Sequence, residues 1–168
     1  MFQSVITPTV LYGLSTVPLT VVQLSELDRL QRKTLRLIVG WVRVPEEPWS
    51  ETMSRMKDKI ARSLSYFNVE PWSKQLAIRQ WNLAGRVARA NAWSSKAARW
   101  DPQVRVDAHA QGFPYRTQGR PRQRWDDHIR KFCEVEFPNN HLWIATATNP
   151  ITWSAKATAY GTFICQSL

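Results

Sequence analysis

Cysteine is almost missing from this sequence. Only Cys133 and Cys165 occur, far apart and in no paired motif, which excludes a disulfide framework and fits a reducing compartment. No run approaches the roughly 18 apolar residues of a membrane-spanning helix, so no membrane partner is expected. The N-terminus lacks a basic region followed by an apolar stretch, so no signal peptide is evident. No address is legible, and nucleus and cytoplasm both remain open. His109, His128 and His141 do not combine with the two cysteines at zinc-knuckle spacing. No Ser-His-Asp ordering, Gly-rich phosphate loop or glycosidase-like carboxylate pair stands out. The chain is therefore assigned no catalytic residue, no metal ligand and no cofactor of its own. Internal repeats, low-complexity tracts and strand alternation are also missing.

Acidic residues are scarce in one place above all. Residues 74–124 hold eleven basic and two acidic groups, whereas 1–73 are nearly balanced at nine and seven, and 125–168 at three and four. The net charge of +10 thus comes almost wholly from the middle third. A localised positive field attracts polyanions, of which nucleic acid is the commonest. With 168 residues and 43% hydrophobic content, there is enough chain for one domain with a real core or for two small helical units. Nine tryptophans can fill a core, stack on bases or meet a partner surface.

Helical periodicity prevails throughout and predicts an all-α chain of about six amphipathic helices joined by Pro-rich and basic loops. Residues 1–19 are apolar and interrupted by Pro8, Gly13 and Pro18, which reads as the tail of a longer architecture. Thr20 and Gln23 form a capping box, and Gly40 is a C-terminal stop. Between them Leu27, Leu30, Thr34, Leu37, Ile38 and Trp41 read as an apolar face, and Arg29, Arg32, Lys33 and Arg36 as a basic one. Ser50 is the expected cap of a second helix carrying Met53, Met56, Ile60, Leu64 and Phe67. A third helix follows Pro71 with Leu76, Leu83, Ala84 and Val87 on one side and Arg79, Arg86 and Arg89 on another. Residues 101–118 read as a loop containing Arg116. Gly119 to Ile129, GRPRQRWDDHI, joins an extended arm of Arg120, Arg122 and Arg124 to a helix bearing Ile129, Phe132 and Cys133. Trp125 is its expected anchor. Asn140 opens a short helix with Leu142 and Trp143. Asn149 and Pro150 cap a last one striped with Trp153, Ala157, Tyr160 and Ile164, predicted to pack on the helix after Trp125.

The run GRPRQRWDDHI resembles the Gly-Arg-Pro-basic-x-Arg-Trp-acidic-Asp signature near the C-terminus of non-LTR (LINE-type) retrotransposon reverse transcriptases. Other blocks follow in the family's order. The apolar segment ending in Tyr12-Gly13, the helix LDRLQRKTLRLIVG, the stretch WNLAGRVARAN and a tail matching at Trp143, Ala147 and Trp153 are each similar to a family block. Val17, Arg86, Asn149 and Pro150 depart from the pattern. The resemblance implies a C-terminal, thumb and post-thumb piece of an RNA-directed DNA polymerase that binds RNA, DNA or an RNA–DNA hybrid and adjoins an upstream polymerase domain. The Mg-holding Asp-Asp motif of that domain does not occur here, and Asp126-Asp127 receives no metal role. The implied organisation is a thumb-like segment at 1–43, a linker at 44–49, a basic helical region at 50–100, a loop at 101–118 and a GRPxxRW arm with its helical unit at 119–168. Phosphate contacts fall to Arg29, Arg32, Lys33, Arg36, Arg79, Arg86, Arg89, Arg116, Arg120, Arg122 and Arg124, and structural anchoring to Trp125, Trp143 and Trp153. Two other readings stay open. Gly119-Arg120-Pro121 also looks like the core of an AT-hook, a minor-groove DNA binder, though Gln118 before it and the helical pattern after it favour the first reading; a decayed open reading frame without activity is the third.

Overall fold

The computed structural model describes residues 2–40, 42–90, 124–138 and 143–168. Among them the fold is all-α, without strands. A π-turn at Phe2–Ile6 leads into a short helix α1 (Thr7–Val10). Then follow α2 (Val21–Val39), α3 (Trp49–Tyr66), α4 (Trp72–Arg89), α5 (Asp127–Glu136), α6 (Trp143–Ala147), α7 (Pro150–Ala155) and α8 (Ala157–Gln166). Eight α-helices are thus described where about six were expected. One cause is visible at Lys156, where the single expected C-terminal helix breaks into α7 and α8.

Local sequence sets the ends of α2. The Thr20 hydroxyl accepts from Gln23 N, and the Gln23 side chain accepts from Thr20 N in return, so two of the free N–H groups at the helix start are satisfied. At the other end Gly40 sits at φ +77, a conformation that costs a side chain dearly and glycine little. Asn149 likewise accepts from Ile151 N and Thr152 N at the start of α7, with Pro150 at its first position.

The buried face of α2 differs from the expected one. Leu24, Leu27, Gln31 and Leu35 are buried, while Leu30, Leu37 and Ile38 are 46%, 78% and 55% exposed; Trp41 lies outside the described residues. The reason is polar. α4 begins after Pro71, which has no side chain that can cap. Its first N–H groups are instead satisfied from α2. Trp72 N donates to Gln31 Oε1 at 3.0 Å, and Ser73 N donates to Asp28 Oδ1 at 2.8 Å. Ser73 Oγ also donates to Asp28 Oδ2 at 2.6 Å, and Gln31 Nε2 donates to Glu70 O at 3.0 Å. These bonds turn the Asp28–Gln31 side inward, and a count of apolar residues alone does not register them.

α3 also starts differently from expectation, at Trp49 after Pro48, with Ser50 inside the helix rather than capping it. It packs on α2 and buries Thr52, Met56 and Ile60; Phe67 is exposed. Glu47 secures its entry. It receives a hydrogen bond from the Thr52 hydroxyl at 2.7 Å and two from Arg55, through Nε at 2.9 Å and Nη2 at 2.7 Å. Arg55 Nη2 also donates to Val42 O at 2.8 Å, tying the linker to the helix.

The centre of the core is a pair of tryptophans. Trp81 of α4 and Trp153 of α7 stack at 3.7 Å with rings 3° from parallel. Each indole N–H donates to the other residue's carbonyl oxygen, at 2.8 and 2.9 Å. Gly85 makes the approach possible, since a Cβ there would lie 2.6 Å from Trp153 Cδ1. Phe132 and Tyr160 close the cluster, edge-on and tilted against Trp81. Phe132 of α5 also meets Tyr160 and Phe163 of α8, so the helices after Trp125 and after Pro150 do pack together. The broadest packing of α8 is nonetheless on α4. The N-terminal segment belongs to the same core: Trp72 Nε1 donates to Thr7 Oγ1 at 3.0 Å, and Trp125 Nε1 donates to Ser15 O at 2.7 Å.

Candidate nucleic-acid interface

Turning Leu24, Leu27, Gln31 and Leu35 inward leaves Arg32, Arg36, Arg29 and Lys33 as neighbours on the far side of α2, since residues three and four apart share a helix face. Arg29, Arg32 and Lys33 are exposed and Arg36 is half-buried. Arg29 pairs with Glu26 at 3.1 Å, both side chains lying well in water, where such a pair is worth little. Arg36 Nε is enclosed and makes no hydrogen bond. Among the described residues Arg32 and Lys33 form no ion pair.

The α4 cations divide. Arg79 and Arg86 lie two turns apart on one side of the helix, half-buried and exposed respectively. Arg89 is committed to the fold, because its Nη1 donates to Ala147 O, the last carbonyl of α6, at 2.8 Å. A cation there also suits the negative end of that helix. Arg124 is exposed, and its backbone N donates to Asp127 Oδ2 at 2.7 Å. Arg116, Arg120 and Arg122 lie outside the described residues. The structure thus groups the four α2 cations and, apart from them, Arg79 with Arg86.

The three expected anchor tryptophans meet. Trp153 and Trp143 are buried and 6.1 Å apart, and half-buried Trp125 lies 6.5 Å from Trp143. Asp126 is buried and accepts from Trp143 Nε1 at 3.0 Å, while its Oδ1 makes no hydrogen bond. With Asp127 holding the turn at Arg124, both members of the acidic pair face the protein. No group of three or more His, Cys, Asp or Glu suited to a metal ion occurs among the described residues. No described helix is long and apolar enough to cross a membrane.

Burial governs the titratable groups inside. It pushes the Cys133 thiol up to about 12, aided by Glu134 and Glu136, so no thiolate forms near neutral pH. Burial raises Tyr160 as well, and holds His128 below the usual imidazole range with help from Lys131. The cleft lined by Gln80, Arg124, Trp125 and His128 encloses about 10 Å³, room for a single water and no more.

Some functional candidates escaped the sequence reading. Lys59, Arg62, Tyr66 and Phe67 all stand exposed along the second half of α3. The spacing Arg62-x-x-x-Tyr66 is the available signal, but Phe67 reads in the sequence only as one more apolar residue of the second helix. No family model, curated protein or solved structure matches this chain.

Proposed function

We propose that this chain is the C-terminal nucleic-acid-binding part of a non-LTR retrotransposon reverse transcriptase, holding RNA or an RNA–DNA hybrid through phosphate contacts. Polymerase chemistry is left to a catalytic palm outside the chain. The observation that carries the reading is the α2 strip. Four cations share one face, the opposite face is fixed in the core, and Arg32 and Lys33 are exposed and form no ion pair among the described residues. Such a strip meets phosphates and carries no base information, so binding is sequence-tolerant. The packing supports the resemblance in a second way. Trp81, Trp125, Trp143 and Trp153, drawn from three separate family-like blocks, contribute to one core.

Fluorescence anisotropy with labelled RNA, RNA–DNA hybrid and DNA duplexes over a salt series tests this. Binding should weaken steeply with salt. Arg32→Ala with Lys33→Ala should flatten the slope of log K against log salt by about 0.7–0.9 for each lost contact, with an unchanged melting temperature. Failure to bind any of the three at low salt would sink the proposal. Preference for A·T-rich DNA, competed by a minor-groove ligand, would replace it with the AT-hook reading.

A further inference from the structure

The C-terminal corner of α3 carries an exposed aromatic pair. Tyr66 is 84% and Phe67 68% exposed, and their rings meet edge to face at 4.9 Å. Among the described residues Trp72, Trp81, Phe132, Trp143, Trp153 and Tyr160 are buried, and Tyr12 and Trp49 are also strongly exposed. Tyr66 and Phe67 differ from those two in being adjacent in sequence and in contact ring to ring.

The corner is also fixed. Val69 N donates to Leu64 O at 2.8 Å and Asn68 N to Ser65 O at 3.1 Å, the paired bonds that close a helix C-terminus around a left-handed residue. Asn68 supplies that residue at φ +47, a conformation asparagine tolerates better than most side chains. Tyr66 and Phe67 thus sit on a backbone with few alternatives and lose little freedom on binding. Cations flank them. Arg62 lies one turn before Tyr66 on the same face, and Lys59 lies about two turns before Tyr66, close to it in angle around the helix. Both are exposed. Lys59 Nζ reaches 3.5 Å from Val39 O at the end of α2. Arg62 Nε donates to the backbone oxygen of Asp58 at 3.4 Å, and among the described residues neither Arg62 nor Lys59 is in an ion pair.

We infer that Tyr66 and Phe67 form a stacking platform for an unpaired nucleic-acid strand, with Arg62 and Lys59 holding the adjoining phosphates. Exposed rings beside cations on a rigid corner are what single strands require, since every base has a π-face and every nucleotide a charge. A duplex hides its base faces and gains nothing from the rings. The inference rests on the proposed nucleic-acid function but adds a second surface and a different class of strand from the α2 strip.

The test uses the full chain and short labelled oligo-U and oligo-dT, with an RNA–DNA hybrid as comparison. Tyr66→Ala with Phe67→Ala should weaken both single strands about tenfold or more and leave hybrid binding and its salt slope intact. Tyr66→Leu keeps apolar bulk without the π-face and should lose affinity as well. Arg62→Ala should flatten the single-strand salt slope. If hybrid binding persists and the ring variants bind single strands like the original chain, the platform is wrong and the function stands. Unchanged single-strand binding by Tyr66→Leu would also overturn stacking. If the original chain binds neither strand class at low salt, both inferences fall.

Discussion

Gly85 shows how one missing methyl group can position two large rings. A Cβ at this place would meet Trp153 Cδ1 at 2.6 Å and Nε1 at 2.7 Å, and the indole is already held by stacking and by its bond to Trp81 O. It has no room to yield without breaking the pair. Gly85→Ala should therefore destabilise the chain by about 1–3 kcal/mol, seen as a fall in melting temperature of roughly 2–4 °C per kcal/mol. Gly161→Ala is the useful contrast. Its nearest neighbours would be Lys74 Cγ at 3.0 Å and Ile78 Cγ1 at 3.1 Å, which call for a shift of a few tenths of an ångström and break no ring pair, so the loss should be smaller. Residues of this kind are legible only in part. WNLAGRVARAN placed Gly85 on a helix beside Trp81, but sequence spacing cannot say that Trp153 lies opposite.

At the scale of the element, α2, α3 and α4 show where periodicity fails. The extent of α2 and the start of α4 followed from caps and breakers in the sequence, because Thr20, Gln23, Gly40 and Pro71 act on backbone groups close to themselves. The inward face of α2 did not. It is set by Asp28 and Gln31, whose partners Ser73 and Trp72 lie more than forty residues away. The linker before α3 is likewise set by a polar contact, Glu47 with Arg55. That guanidinium and the Thr52 hydroxyl hold the Glu47 carboxyl down to about 2 from an ordinary 4.5. A carboxylate with a depressed folded-state value stabilises fully above its unfolded value and loses that contribution as pH falls through the folded one. The ion pair should thus persist through mild acid, while its contribution to stability declines between about pH 4.5 and 2. An acid titration followed by carboxyl NMR should give Glu47 a midpoint near 2, and Arg55→Ala should return it toward 4.5.

The whole molecule is organised around distant partners. Thr7 with Trp72, Ser15 with Trp125 and Trp81 with Trp153 join the start, middle and end of the chain, and the main core draws on all three. α3 stands apart, because it packs chiefly on α2 and its buried Met56 and Ile60 lie outside that core cluster. Regions with fewer buried contacts open at lower free energy. Native-state hydrogen exchange should therefore find α3 amides less protected than those of α4, and equal protection would contradict this division. The all-α class was legible because helical spacing is a local property. So was the burial of Ile129, Phe132 and Cys133 on one face of α5. The distribution of cations was legible as charge, yet Arg89 was spent on the α6 carboxyl end and Arg36 was half enclosed, outcomes decided by neighbours the sequence does not name.

The reciprocal bonding of Trp81 and Trp153 has a consequence for heredity. Each ring fills the space against the other and donates to the other's carbonyl, so changing either one leaves its counterpart with an unpacked face and a carbonyl with one donor fewer. The second change then removes less than the first, because the shared interaction is already gone. Selection meets the two positions as one character carried at two places in the gene. Descendants of this sequence should keep both tryptophans or lose both, and a lineage with only one would mark a passage between the two states.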